Sequence, residues 1–219
     1  MTANKFPSAR PHLLILTQDG FRRQHEALDL EDISAARHVM CSLEDNAAAP
    51  ASTPTTTASF GRALMLFNCG IESGCSRMHK HLHVFPGPKS DTFRLWPDDA
   101  RAQARLPFKA FVHRFEGGTL PAATAILGVY RDLLREAEQS VGAAPRDGGP
   151  AIPHNAVMDR NWLVVVPRRA AKWNGVGANA AAMLGMVWAE NNDKMDAWMR
   201  LGPANVLRHV GFPADTCQP

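Results

Sequence analysis

Residues 79–83 read His79-Lys80-His81-Leu82-His83 and follow directly on a run of small and polar residues from Gly70 to Met78. In an extended segment, period-two alternation turns all three imidazoles to one face of a sheet and leaves Lys80, Leu82 and Val84 on the other. Upstream, Ala63-Leu-Met-Leu-Phe67 reads as a buried strand, and the polar stretch from Asn68 to Arg77 reads as the turn that joins the two. This predicts an antiparallel hairpin with its chemistry at one end. Neutral imidazole is a good nucleophile toward phosphorus near pH 7, and neighbouring rings can share the binding of phosphate oxygens and the movement of protons. A His pair at i, i+2 on a strand can also hold zinc with a position open to water. No carboxylate or thiol is clearly placed as a further ligand, so no metal residue is assigned.

Other segments fill out an α+β pattern. His12-Leu-Leu-Ile-Leu-Thr17 reads as a buried strand, and Asp29-Leu-Glu-Asp32 opens a helix with Ile33, Ala36, Met40 and Leu43 at helical spacing. Residues 46–59 have low complexity and little to bury, which predicts a mobile surface loop. Phe108 to Phe115 suggests a further strand. Thr119, with Pro121 in the first turn, starts a long helix carrying Ile126, Tyr130, Leu133 and Leu134 on one stripe, ending in the Gly/Pro-rich stretch Gly142 to Pro150. Ile152 to Met158 and Asn161 to Val166 flank Asp159-Arg160 as a hairpin. A helical tail follows from about residue 178, first over Asn179 to Glu190 and then as two short helices up to Val210.

A length of 219 residues suits one sizeable α+β domain spanning 1–219. The formal charge of +3 is too small to indicate a nucleic-acid surface but agrees with a small anionic ligand. The longest apolar runs, Leu13 to Leu16 and Leu163 to Val166, have strand length, and the first residues contain no apolar leader core, so a cytoplasmic (or nuclear) protein without membrane attachment is expected. The four cysteines, Cys41, Cys69, Cys75 and Cys217, form no CxxC pair and are expected as free thiols.

Several of these blocks together resemble the diadenosine tetraphosphate phosphorylases (ATP adenylyltransferases), a branch of the histidine-triad superfamily. Asn4-Lys5-Phe6 and His12 to Thr17 are similar to that family's Asn-Lys-Phe and His-x-Leu-Leu-x-Thr strands, and Phe21-Arg-Arg-Gln24 to the Gln that follows them. Phe67-Asn68-Cys-Gly70, Ser73-Gly74-Cys75-Ser76-Arg77 and His79-Lys80-His81-Leu82 are similar to its Asn-x-Gly, Ser-Gly-Ala-Ser-Gln and His-Lys-His-Leu-Gln signature. His154-Asn155, Trp162 to Arg168 and the tail resemble its C-terminal block. Three positions depart from the pattern: His83 stands for the final Gln, Arg77 for the Gln after the second Ser, and His154 for the Tyr before Asn155. Family members also carry a segment before the Asn-Lys-Phe strand, at which this chain begins, so the resemblance implies an N-terminally short member.

The resemblance implies a histidine-triad-like antiparallel sheet with flanking helices, working as a nucleotidyltransferase on dinucleoside polyphosphates. His81 would attack the α-phosphorus to give a covalent adenylyl-histidine, with His79 and His83 beside it as catalytic partners and inorganic phosphate as acceptor. Lys5, Asn68, Ser73, Gly74, Cys75, Ser76, Arg77, Asn155 and Arg160 are the implied nucleotide and phosphate contacts. No tightly bound cofactor is implied, and Mg²⁺ would come with the nucleotide. His83 in place of Gln keeps a nucleotide hydrolase open as an alternative. The short N-terminus keeps open an inactive or recruited nucleotide- or metabolite-binding module. An exposed strand edge would be relieved in a homodimer. His12, His25, His38, His113 and His209 receive no functional role from the sequence.

Overall fold

The computed structural model describes residues 1–7, 9–48, 61–88, 93–143 and 151–214. Its centre is a seven-stranded sheet in which every neighbouring pair is antiparallel. The strands are β1 (Thr2–Ala3), β2 (Leu13–Leu16), β3 (Ala63–Cys69), β4 (His81–Pro86), β5 (Phe111–Arg114), β6 (His154–Met158) and β7 (Trp162–Pro167), in the spatial order β1-β2-β4-β3-β6-β7-β5. β8 (Lys172–Trp173) and β9 (Val176–Gly177) make a separate two-stranded ribbon.

Alternation along the strands builds two cores. On one face Ile15, Met65, Phe67, Leu82, Val84, Met158, Leu163 and Val165 pack against α1 (Leu30–Ala48) and α3 (Ala123–Ser140), which contribute Ile33, Ala36, Met40, Ile126 and Tyr130. On the other face Leu64, Leu66, Phe85, Val157, Val164 and Val166 are covered by α4 (Ala180–Met183), α5 (Asn192–Leu201) and α6 (Pro203–Val210), together with Leu95 and Phe108; the four-residue α2 (Ala100–Gln103) lies nearby in sequence. Buried on both faces, β3, β6 and β7 read as near-continuous apolar runs rather than alternating ones.

The α+β expectation and the hairpin of β3 and β4 agree with the structure; several boundaries do not. α1 extends to Ala48, so residues 46–48 of the expected loop are helical, and the remainder of that loop lies outside the described residues, as do 144–150 of the Gly/Pro-rich stretch. The strand expected over 108–115 is the shorter β5. α3 starts at Ala123, its first bond running from the Ile126 amide to the Ala122 carbonyl at 3.0 Å, while the Pro121 carbonyl accepts from Arg37 Nε of α1 at 2.6 Å. The tail helix expected to reach Glu190 stops at Met183. Gly185 adopts φ +92°, and the Gly185 and Met186 amides donate back to the carbonyls of Ala182 and Ala181, a helix ending that closes the last turn.

Among the described residues, no helix is long and apolar enough to cross a membrane.

Candidate functional site

The register that builds the sheet also exposes the histidines. Leu14 pairs with His83 and Leu16 with His81, so these four side chains share a face, the one that α4, α5 and α6 cover further along. At the β2 and β4 end that cover is missing. A pocket of about 230 Å³ opens there, lined by Asn4, Phe6, Leu14, Leu16, Ser76, Arg77, His79, His81 and His83. All three imidazoles reach it, although β4 begins only at His81 and His79 is held by an isolated bridge to Arg23.

The His81 tautomer follows from its partner. His81 Nδ1 lies 2.8 Å from the His79 carbonyl oxygen, which can only accept, so Nδ1 carries the proton of the neutral ring and Nε2 is left with its lone pair. Burial pushes the His81 pKa down, opposed by that hydrogen bond and reinforced by the nearby Arg77 charge. The ring is therefore neutral at pH 7. His83 Nδ1 is hydrogen-bonded to His12 Nε2 at 2.9 Å. The Asn4 amide nitrogen sits 3.3 and 3.4 Å from the two ring nitrogens of His12, and Asn4 Oδ1 accepts from the Phe6 amide, which fixes the amide's orientation. Burial, with the adjacent His81 and His12, lowers the His83 pKa to about 3. The His81 and His83 rings stand edge to face with centroids 5.0 Å apart.

The backbone of His81 is clamped by Gln24, a 1 % exposed side chain that accepts from the His81 amide at 2.8 Å and donates to the His81 and Asn68 carbonyls at 3.0 Å each. Lys80, on the opposite face as alternation requires, is fully buried, paired with Asp32 at 2.5 Å and bonded to the Ala27 carbonyl at 2.7 Å. It ties the histidine strand to the start of α1. His79 Nε2 is 3.0 Å from the Thr17 hydroxyl.

The expected phosphate contacts divide into three groups. Ser76 and Arg77 line the pocket with the histidines. Asn68, Ser73 and Asn155 are placed behind it, in a buried network: Asn155 Nδ2 donates to Asn68 Oδ1 and the Ser73 carbonyl, Asn68 Oδ1 also accepts from the Ala180 amide, and the Ser73 hydroxyl donates to the Gly70 carbonyl at 2.6 Å. Gly74, at φ +86°, packs so closely that a Cβ would sit 2.6 Å from the Ala178 carbonyl oxygen. Lys5, Cys75 and Arg160 are not brought to the imidazoles. Lys5 is exposed, its ammonium 5.5 Å from the centre of the Phe6 ring, and Cys75 lines a separate pocket of about 320 Å³ with Gln24, Ile71, Glu72 and Met78. Arg160 lies at the far end of the β6–β7 hairpin, paired with Glu44 at 2.5 Å.

Several residues of the site carried no assignment from sequence. His12, in contact with Asn4, hydrogen-bonds His83, and Gln24 clamps His81. Arg168, only 2 % exposed, spends its donors on the carbonyls of Val210, Ser73, Ala170 and Ala178 and on Asn155 Oδ1. Every acceptor is neutral, and burial lowers the guanidinium pKa to about 9. That arginine pins the Ser73 turn to β6 and to the C-terminal helices. Among the described residues no group of three or more His, Cys, Asp or Glu side chains is arranged to hold a metal ion.

The chain is similar to known proteins in sequence and in fold. Diadenosine 5',5'''-P1,P4-tetraphosphate phosphorylase 2 of Saccharomyces cerevisiae is 26 % identical over 223 residues, an alignment covering 88 % of this chain and 62 % of that protein. Protein APA1 of the same yeast is 25 % identical over 237 residues, covering 96 % and 68 %. The chain thus spans less than two thirds of the first relative. The crystal structure of yeast Ap4A phosphorylase Apa2 superposes with a TM-score of 0.76 at 24 % identity, over 99 % of this chain and 73 % of that one, and its complex with Ap4A gives the same score at 23 % identity, over 96 % and 72 %. The fold is therefore the one the histidine signature implied. A sequence profile described as the ATP adenylyltransferase C-terminal domain matches residues 104–213, half of the length, and the chain belongs to that family.

Proposed function

We propose that the protein is a nucleotidyltransferase that cleaves dinucleoside polyphosphates, converting diadenosine tetraphosphate and phosphate to ATP and ADP through an adenylyl group carried on His81. The observation that carries this reading is the open Nε2 of a neutral His81, in a pocket that His83 and Arg77 also line. In the first displacement the Nε2 electron pair forms a bond to the α-phosphorus, the bridging P–O bond breaks and ATP leaves. The ring gains a positive charge, and the His79 carbonyl, already accepting from Nδ1, steadies it. In the second, a phosphate oxygen attacks the same phosphorus, the P–N bond breaks, the electron pair returns to Nε2 and ADP departs. Two inversions give net retention at phosphorus. Mg²⁺ would enter with the polyphosphate, offsetting charge that the pocket's own cations leave uncompensated. The complexes of yeast Apa2 with Ap4A and with AMP support a small nucleotide as substrate.

A second reading is favoured by one residue. His83 stands where the family signature has an amide, and an imidazole can exchange protons with water, so water could replace phosphate as acceptor. Product analysis separates the two. Purified protein given diadenosine tetraphosphate should form ADP and ATP only when inorganic phosphate is added; AMP and ATP formed without phosphate would establish hydrolysis, and no cleavage in either case would refute both.

A further inference from the structure

Arg22 and Arg23, adjacent in sequence and outside the lining of the histidine pocket itself, are in unlike electrostatic states. Arg22 is committed to Asp29 at 2.7 Å and to Glu26. Arg23 has no carboxylate within salt-bridge range among the described residues, and its Nη1 reaches only backbone carbonyls, of Gly20 at 2.8 Å and of Arg22 at 3.4 Å. Its position is fixed by the isolated bridge to His79. The Gln24 amide donates to the Met78 carbonyl and the Lys80 amide to the Arg22 carbonyl, which makes Arg23 and His79 a non-hydrogen-bonded antiparallel pair. In such a pair the two side chains project to the same face at the closer of the two cross-strand spacings. The ring of His79 lines the pocket, so the Arg23 stem leaves the backbone on the pocket side. Arg77, exposed and two residues before His79, lines the pocket itself and has no acidic partner among the described residues.

We infer that Arg23 is a phosphate-binding residue: with Arg77 it forms a two-guanidinium subsite beside His79 for the phosphates beyond the one bonded to His81, and for the inorganic phosphate that replaces them. This rests on the function proposed above. In-line geometry requires the acceptor to attack from the side opposite Nε2, which the leaving chain has just vacated, so one anion subsite serves both steps. Guanidinium suits the task because its planar fork bonds two phosphate oxygens at once and stays charged at every working pH. Arg22 is unsuited because its fork is already filled by two carboxylates.

Calorimetric titration of AMP and of diadenosine tetraphosphate into wild type, R23A and R23K tests the assignment. AMP has no phosphate beyond the first, so R23A should bind it as wild type does, while affinity for the tetraphosphate drops about tenfold, the loss of a charge-assisted contact. R23K should recover part of that drop, and raising the salt concentration should shrink the difference between wild type and R23A. R23A matching wild type on both ligands would overturn the subsite. Equal weakening of both ligands would also overturn it, by showing that Arg23 only shapes the turn. A wild-type protein that bound neither nucleotide would instead overturn the nucleotide reading of the whole pocket.

Discussion

His81 Nδ1 lies 2.8 Å from the carbonyl of the residue two before it, and His154 Nδ1 lies 2.7 Å from the carbonyl of Ile152, again two before. Each histidine opens a strand, β4 and β6, and each is thereby fixed in the tautomer that leaves Nε2 as an acceptor. The regions differ in what faces that nitrogen. His154 Nε2 accepts from the Tyr130 hydroxyl at 2.9 Å, whose oxygen accepts in turn from the Leu28 amide at 3.2 Å, and both side chains are wholly buried. His81 Nε2 faces a pocket. The same local device therefore yields a structural group at one strand start and, in the function proposed above, a nucleophile at the other, with the second nitrogen's surroundings deciding between them.

Removing each ring should separate the two roles. H81A should reduce turnover on the order of a thousandfold or more while nucleotide affinity stays within about tenfold, because the nucleophile is lost with little ground-state contact. H154A should do the reverse. It strands the Tyr130 hydroxyl in an apolar core and leaves a cavity, at a cost of about 3 kcal/mol in denaturant unfolding, while turnover per folded molecule stays close to wild type. If H154A cut turnover as deeply as H81A without lowering stability, the contrast between the regions would collapse.

Acid should expose the buried ring as well. Burial depresses the His154 pKa to about 4 in the folded chain, from the 6.5 of a solvated imidazole. Between those values the unfolded chain takes up a proton that the native one refuses, so this contribution is complete above pH 6.5 and is lost as pH falls toward 4. At about 1.4 kcal/mol per pH unit, His154 alone accounts for roughly 3 kcal/mol of that loss. His83, lowered to about 3, adds to the same direction. Unfolding free energies measured from pH 7 to pH 4 should decline accordingly in wild type and less steeply in H154Q; a flat profile would contradict the assignment of a neutral buried imidazole. The smallest effect is expected for H83Q, which should raise the ratio of phosphorolysis to hydrolysis by a few-fold, read from ADP and AMP yields in the same incubation.

How much of this was legible in the sequence follows from the range of each interaction. The alternation of His79, His81 and His83 and the apolar runs of β3, β6 and β7 are local patterns, and the hairpins they predict are present. Ser76 and Arg77 adjoin that strand in sequence and reach the pocket for the same reason. His12 could not be assigned from its own neighbourhood, since its role comes from a contact 71 residues away with His83, created when β2 pairs with β4. Arg160 shows the opposite failure: a tip residue of a correctly read hairpin lies at the end remote from His81, and only the strand directions reveal which end that is. Arg168 and Gln24 act through backbone carbonyls, which leave no signature in side-chain identity. The overlong tail helix missed Gly185, whose left-handed conformation ended a run of otherwise good helix formers.

The central claim, that His81 carries the transferred group, is most directly tested by trapping. Phosphoramidates on histidine are labile in acid and comparatively stable in base. Protein incubated with diadenosine tetraphosphate labelled at the α-phosphorus, quenched in alkali and digested, should carry label on the peptide spanning Gly74 to Phe85, and inorganic phosphate added before the quench should discharge it. H81A should carry none. Label on another peptide, or turnover proceeding with no label at any time point, would contradict the account.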